Sequence, residues 1–428
     1  MLNKILKQTR KIFKNKQLRT KLLFTAGVFF VFRLLAHIPL PAVDLEQLQS
    51  IFSGSEFLNL LNIFSGGTLA RLSVVAVGIN PYISASIIMQ LAAMVFPNLK
   101  EMQKEGETGK AKVNQYTRLL TVPLAIFQSI SVIALLNSQT LLETREPVAL
   151  ITMITTLVAG SMVLMWLGEL IGEYGLGNGI SMVLFAGIAS QIPVALAQTV
   201  SIVDTQQLIT MLTFAILFVL VVALVVFMNE AIRKVQIQYA KRTRGSRSFG
   251  GQTTHLPIRV NVAGVMPIIF ALSLMMAPSF LAKILTASDK TNLINLGQKM
   301  ALWFDQTSVI YMTIYFLIVF GFTFFSALVF FNAQDLSDEL KKSGAFVPGI
   351  RPGGPTKKFL EYVVTRVTFV GALFLGFVAL LPSIAQNFTG VQSLAIGGTS
   401  VLIVVSVVLE TAKQVESMLV GQNYDKYI

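Results

Sequence analysis

Ten apolar runs follow one another along the chain, at about 22–40, 81–96, 119–137, 148–168, 179–197, 208–228, 260–282, 308–331, 359–381 and 395–412. Each is near the ~20 residues that one helical crossing of a bilayer needs. In hydrocarbon a backbone must satisfy its own hydrogen bonds, so each run predicts a helix. One stretch departs from the pattern. Residues 57–96 read FLNLLNIFSGGTLARLSVVAVGINPYISASIIMQLAAMVF, about twice one crossing. Gly66 and Gly67 interrupt it early, Gly78 and Pro81 in the middle, and Arg71 lies between the breaks. Glycine permits turns and proline removes a helical donor. The spacing predicts a half-helix around Phe57–Val75, a hinge at Gly78–Pro81 and a span from Pro81 to Phe96. A helix broken at membrane depth needs protein or a water-filled cavity to satisfy its backbone. The break therefore points to a cavity or pathway; a long tilted helix kinked at the proline is the competing reading.

Composition agrees with a polytopic membrane protein. The 428 residues are 54% hydrophobic and only 13% charged, against about 25% charged in soluble domains. There is no cysteine, which excludes disulfides, thiol nucleophiles and cysteine metal sites. The two histidines, His37 and His255, are far apart, which excludes a His-rich metal site.

The net charge of +13 suggests either nucleic acid or topology, and position decides. Residues 1–21 hold eight cations and no acid, with Leu2, Ile5, Leu6, Ile12 and Phe13 at helical spacing. This predicts a basic amphipathic cytoplasmic segment on an anionic membrane surface rather than a cleaved signal peptide. Arg33 lies within the first span, near its outer end. An arginine at mid-membrane costs roughly 2.5–3.5 kcal/mol, so snorkelling or an ion pair is expected there. With both ends inside, the internal segments carry 28 Lys and Arg against 4 in the external ones, with Arg33 and Arg71 in membrane segments. That asymmetry predicts ten crossings with both ends cytoplasmic.

Two internal loops carry more charge than orientation needs. Residues 229–259 hold Arg233, Lys234, Lys241, Arg242, Arg244, Arg247 and Arg259. Residues 332–358 hold Lys341, Lys342, Arg351, Lys357 and Lys358, with the turn-rich PGIRPGGP at 348–355. Long ordered loops are commonly functional, and these suit a large acidic partner such as ribosomal RNA or a motor protein. A loop that only fixes orientation is the alternative.

Five spans precede residue 200 and five follow. Because five is odd, the second half starts on the opposite side, the arithmetic of an inverted repeat with a pathway at its interface. The expected units are a basic segment 1–21, an N-terminal half 22–200, a C-terminal half 201–412 and a tail 413–428.

Catalytic motifs are absent. Gly106–Lys110 (GETGK) lacks the Walker A spacing and is followed by Ala111. GLGNG at 175–179 lacks the last glycine of the dinucleotide fingerprint and predicts a tight turn with Asn178 as helix cap. No acidic pair sits at mid-membrane, which counts against an ion-coupled transporter. Such a transporter would need polar residues at the broken helix, where Asn80 and Tyr82 are the candidates; an insertase without a through-pore is a third possibility. Ile79 and Ile83 are four apart and share a helix face. An aliphatic constriction there could gate by dewetting, although such a pair is commonly plain packing.

VGINPYISASIIMQL (77–91), FSGGTLAR (64–71), WLGELIGEYGLGNGISMVLFAGI (166–188), YAKR (239–242), THLPIRVNVAGVMPIIFA (254–271), KKSGAFVPGIRPG (341–353) and GGTSVLIVVSVVLE (397–410) together resemble the SecY family, channel subunits of the bacterial Sec translocon. The resemblance runs from about Leu22 to Val415. It implies an all-α membrane protein of ten helices in two pseudo-symmetric halves around an hourglass pore. It implies a non-enzymatic channel that moves unfolded preproteins across the cytoplasmic membrane and releases transmembrane segments sideways. It implies a plug near 57–73 that includes Phe64, Ser65, Gly66, Gly67 and Arg71. The implied pore ring is Ile79, Ile83, Ile180, Leu184, Ile269 and Ile403, where Leu184 replaces the usual isoleucine. A lateral gate is implied between the span from Pro81 and the span from Asn261, with Ile87, Gln90, Asn261 and Pro267. Lys241, Arg242 and Arg351 match partner contacts. The implied partners are SecE, SecG, the SecA ATPase, the ribosome and its RNA, preproteins with signal sequences and membrane lipids, with SecDF and YidC as further candidates. No cofactor is implied.

Overall fold

Apolar runs of this length leave the backbone one local solution, and the chain takes it. A computed structural model describes residues 15–40, 62, 65–138, 146–201, 208–239, 242–244, 247–249, 253–262, 264, 266–286, 290–305, 308–389 and 393–425. Long helices stand at all ten runs. In the first half these are α1 (Lys16–Leu35), α2 (Asn80–Val95), α4 (Glu107–Ser138), α5 (Pro147–Tyr174) and α6 (Gly179–Ser201). In the second they are α7 (Leu208–Glu230), α8 (Met266–Thr286), α10 (Val309–Phe330), α12 (Gly354–Thr389) and α13 (Ser393–Asp425). Shorter helices are α3 (Pro97–Lys104), α9 (Thr291–Trp303) and α11 (Ala333–Lys342).

Helices α4, α5, α10 and α12 contain windows long and apolar enough to cross a membrane alone, and Asn80–Val95 with Pro97–Gln103 forms a fifth candidate bent by 109°. Segments of α6, α7 and α8 are apolar but shorter. Large apolar side chains such as Phe30, Phe127, Leu317 and Phe377 point outward, while Thr121, Ser129, Ser161, Thr323 and Ser326 are buried between helices. Apolar outside with small polar residues inside is the packing of helices in lipid. The chain is a multi-pass membrane protein.

Within each half, neighbouring helices pack on one another. The halves meet along two seams: α2 and α4 against α8, and α6 against α13. The largest buried cluster joins residues from α1, α2, α5, α6, α7, α8, α10, α12 and α13 across those seams.

Two expectations need correction. The predicted half-helix does not extend through 65–79, which is a series of turns. Gly66, Gly67 and Gly78 adopt φ of 77°, 80° and 69°, a left-handed region that ends helices. The segment finds its partners elsewhere: Leu40 N–H donates to Leu72 C=O (2.8 Å) and Val74 N–H to Ile38 C=O (3.0 Å). Residues 57–61, 63 and 64 lie outside the described residues. Pro81 then opens α2, in agreement with a span that starts there, since a first-turn proline has no donor to lose.

The two basic loops are also not independent loops. β1 (Ile232–Tyr239) pairs antiparallel with β4 (Thr253–Arg259), and β5 (Ala345–Phe346) adds to the other edge of β1. β2 (Arg242–Arg244) and β3 (Arg247–Phe249) pair separately. Val235, Ile237 and Ile258 turn to one face and pack with Leu340 of α11 and Leu360 and Val364 of α12. Arg233, Lys234 and Arg259 remain exposed.

Candidate functional site

The six aliphatic residues expected to form a ring come from four helices that meet between the halves. Ile79 caps α2 and Ile83 follows one turn later. Ile180 and Leu184 are one turn apart on α6, Ile269 is on α8 and Ile403 on α13. All six belong to the central cluster. Five are 0–3% exposed, and Ile180 is half-buried. Their branched side chains are thus packed into one buried cluster between the halves. Asn178 fixes where α6 begins: its Oδ1 accepts from Ile180 N–H (3.1 Å) and Ser181 N–H (3.4 Å). This is the expected cap, and it places Ile180 in the first turn. The α5–α6 crossing is equally constrained, because a Cβ on Gly179 would stand 1.6 Å from the Gly168 carbonyl oxygen.

Against this ring stands the turn segment 65–79. Ser65, Gly66 and Gly67 are buried, whereas Arg71 is exposed; Phe64 lies outside the described residues. Gly66 meets α6 backbone to backbone. A Cβ on Gly66 would stand 2.6 Å from Gly187 Cα, and one on Gly67 1.5 Å from Gln191 Nε2. Two glycines in contact allow an approach that no side chain permits. Side chains close the turns internally: Thr68 Oγ1 donates to Ser65 C=O (2.7 Å), and Asn62 Oδ1 accepts from Ala70 N–H (2.8 Å). Among the described residues Arg33 forms no ion pair; its guanidinium donates to Gly66 C=O at 3.4 Å. Ser161 of α5 holds the other end, donating to Gly78 C=O (3.0 Å).

Of the expected gate residues, Ile87 and Gln90 are half-buried on α2, and Pro267 is buried in the first turn of α8. These two helices do meet. Asn261 does not belong to the span: α8 starts at Met266, and Asn261 sits in the segment before it. Its amide donates to Asn229 Oδ1 (2.9 Å) and Gly264 C=O (3.0 Å). Asn229 in turn donates to Ser406 Oγ (2.9 Å), and Lys413 reaches Asn229 C=O (3.1 Å) and Glu230 (2.9 Å). Gln414 accepts from Gly177 N–H (2.5 Å), which ties α13 to the turn before α6. This polar network borders a cavity of about 240 Å³. Sequence reasoning missed it, because its members are spread between residues 177 and 414 and no local pattern joins them.

Among the expected docking residues, Arg351 is exposed on a turn held by Gly349 (φ 82°) and Gly353 (φ 99°). Thr356 Oγ1 donates to Arg351 C=O, and Ser337 Oγ to Gly353 C=O, both at 2.9 Å. Arg242 opens β2 opposite Phe249. Lys241 lies outside the described residues.

Residues 73–412 match the SecY family. The chain belongs to the SecY family. It is 41% identical to the protein translocase subunit SecY of Streptomyces scabiei over 436 residues, covering 97% of this chain and 98% of the relative. It is 38% identical to that of Mycobacterium tuberculosis over 430 residues, covering 96% and 97%. Among solved structures it resembles a protein-conducting channel (TM-score 0.65, 18% identity, 93% and 92% of the two chains). A SecY structure solved to study its plug gives a TM-score of 0.66 at 19% identity, with the same coverage. At such identity these likenesses speak to the fold alone.

Proposed function

We propose that the chain is the protein-conducting subunit of a Sec translocon, resting in a closed state. The observation that supports this reading is the buried cluster of the aliphatic ring side chains between the halves, with the 65–79 segment packed on α6 at Gly187. An extended polypeptide is polar and needs a wet path through ~30 Å of hydrocarbon, while small ions must not leak. A ring of Ile79, Ile83, Ile180, Leu184, Ile269 and Ile403 can part around a chain of variable shape, and a removable plug covers it at rest. Lateral release would use the seam of α2 with α8, past Ile87, Gln90 and Pro267; Asn261 would act at its base.

The chain carries no energy-coupling motif, so a partner supplies the work: the SecA ATPase or a translating ribosome. The basic sheet and the Arg351 turn offer a charged surface for either, to which Arg242 and Lys241 would add contacts. An apolar groove of about 590 Å³ between α1, α6 and α13, lined by Phe29, Phe185 and Val408 among others, supports a clamping helix from SecE across both halves; SecG, SecDF and YidC would bind more peripherally. The 28-to-4 charge asymmetry supports a bacterial cytoplasmic membrane location with both termini inside.

The cysteine-free chain offers a direct test. One cysteine replaces Ile403 and another a mid-chain residue of a secretory preprotein stalled in transport. In vesicles with SecE and SecA, a disulfide that requires both stalling and ATP is expected. Proven stalling without a crosslink at Ile403, Ile79 or Ile180 would overturn the path.

A further inference from the structure

Helix α9 joins α8 to α10 at the end of the bundle opposite the sheet, since α8 leaves the sheet through β4 and α10 returns towards it through α11 and β5. Thirteen residues cannot cross a bilayer, yet this helix carries Leu293, Ile294, Leu296, Met300, Leu302 and Trp303. At 100° per residue, Leu293, Ile294, Gly297 and Met300 form one face, and each is buried or half-buried. Gly297 presses on α8: a Cβ there would stand 2.8 Å from Thr286 N and 2.9 Å from Ala282 O. That backbone contact fixes how the helix is turned.

The turn leaves an apolar flank uncovered. Leu296 and Trp303 lie about 20° apart beside the packed face, 51% and 53% exposed. Asn292, Asn295, Gln298 and Lys299 occupy the exposed arc next to them; Leu302 lies within that arc, between Asn295 and Gln298. At the same end of the bundle, Leu281 of α8 and Val309 and Ile310 of α10 are also exposed. The exposed flank thus lies at the same end of the bundle as exposed apolar positions of α8 and α10.

We propose that α9 is an interfacial helix whose Leu296–Trp303 flank is seated in the headgroup–acyl boundary of the leaflet facing away from the sheet. Tryptophan suits that level, with an apolar ring body and an N–H that needs a polar partner. Lys299, on the neighbouring flank, meets lipid phosphates. Through Gly297 the end of α8, one side of the α2–α8 seam, is anchored to the bilayer surface.

The test uses single cysteines at Leu296 and Asn295 carrying nitroxide labels. The assembled complex, with any cysteines of its other subunits replaced, is reconstituted in phosphatidylcholine–phosphatidylglycerol vesicles. Collision rates are measured with oxygen, which concentrates in lipid, and with a nickel chelate, which stays in water. The L296C label should favour oxygen over nickel several-fold, and the N295C label the reverse. Equal nickel access at both would mean that the flank faces water, and protection of L296C from both reagents would mean that a protein covers it. Either result overturns the proposal.

Discussion

Replacing Gly187 by alanine should unseat the 65–79 segment, the proposed plug, while leaving the fold intact. The new Cβ would stand 2.8 Å from Gly66 Cα, 3.4 Å from Gly66 N and 3.8 Å from the Phe32 ring. The shortest of these is about 0.6 Å inside ordinary carbon contact, and overpacking of this kind costs roughly 1–3 kcal/mol. The strain falls on the plug side. Helix α6 is locked to α5 at Gly179, whereas the Gly66 turn is held to α1 by a 3.4 Å bond from Arg33, the other bonds of the 65–79 segment to distant residues lying farther along at Leu72, Val74 and Gly78. Alanine also favours helix over glycine by up to ~1 kcal/mol. That gain is the same with the plug docked or released, so it cancels from the docking equilibrium. At 1.4 kcal/mol per tenfold, the docked-to-released ratio should fall roughly 5- to 150-fold. The assay is dye or ion efflux from vesicles holding the resting complex, without preprotein. Gly172→Ala is the control: it makes the same exchange in helix α5, where the nearest atom to the new Cβ is 4.0 Å away. G187A should leak several-fold more than G172A. Equal leak in both variants and the parent, with G187A confirmed in the membrane, would refute the idea that the Gly66–Gly187 contact holds the plug.

The remaining expectations separate positions that matter for stability from those that matter for transport. Asn229→Ala removes the acceptor of Asn261 and the donor to Ser406. Stranding buried polar groups costs roughly 1–3 kcal/mol, so the Tm of the purified complex should drop by a few degrees, and an unchanged Tm would deny the network a structural role. Arg118→Ala breaks a 2.7 Å pair with Glu169 in which both side chains are partly exposed. Such pairs contribute about 1 kcal/mol or less, so Tm and transport should stay close to those of the parent; a large loss of either would show that this pair does more than ordinary surface pairing. Arg351→Ala removes an exposed side chain from a turn whose backbone carbonyls are held by the Ser337 and Thr356 hydroxyls. Partner-driven preprotein transport should fall at least tenfold with Tm and resting leak unchanged, and full transport would remove Arg351 from the docking surface.

The sequence by itself determined that the backbone would cross a membrane in helices, and where. In hydrocarbon each apolar run must bond internally, so the ten spans were legible from composition and length. The Asn178 cap was readable for the same reason, since its partners lie two and three residues away. The strands were legible in principle: Val235 and Ile237 alternate with polar neighbours, as strands with one buried face do, but the density of charge drew attention to docking instead. Other features had no local signature. Whether residues 65–79 continue a helix or fold into turns depends on Gly187, Arg33 and Ser161, each tens of residues away or more. Ile79 and Ile83 share a spacing that ordinary packing shares too. Only the meeting of α2, α6, α8 and α13 makes them part of one buried cluster, and only the same packing brings Asn229, Asn261, Ser406 and Lys413 within hydrogen-bond reach. Backbone hydrogen bonds in lipid are satisfied within a segment and so are written locally; which side chains seal a passage depends on the contacts between segments, and the tertiary structure decides those.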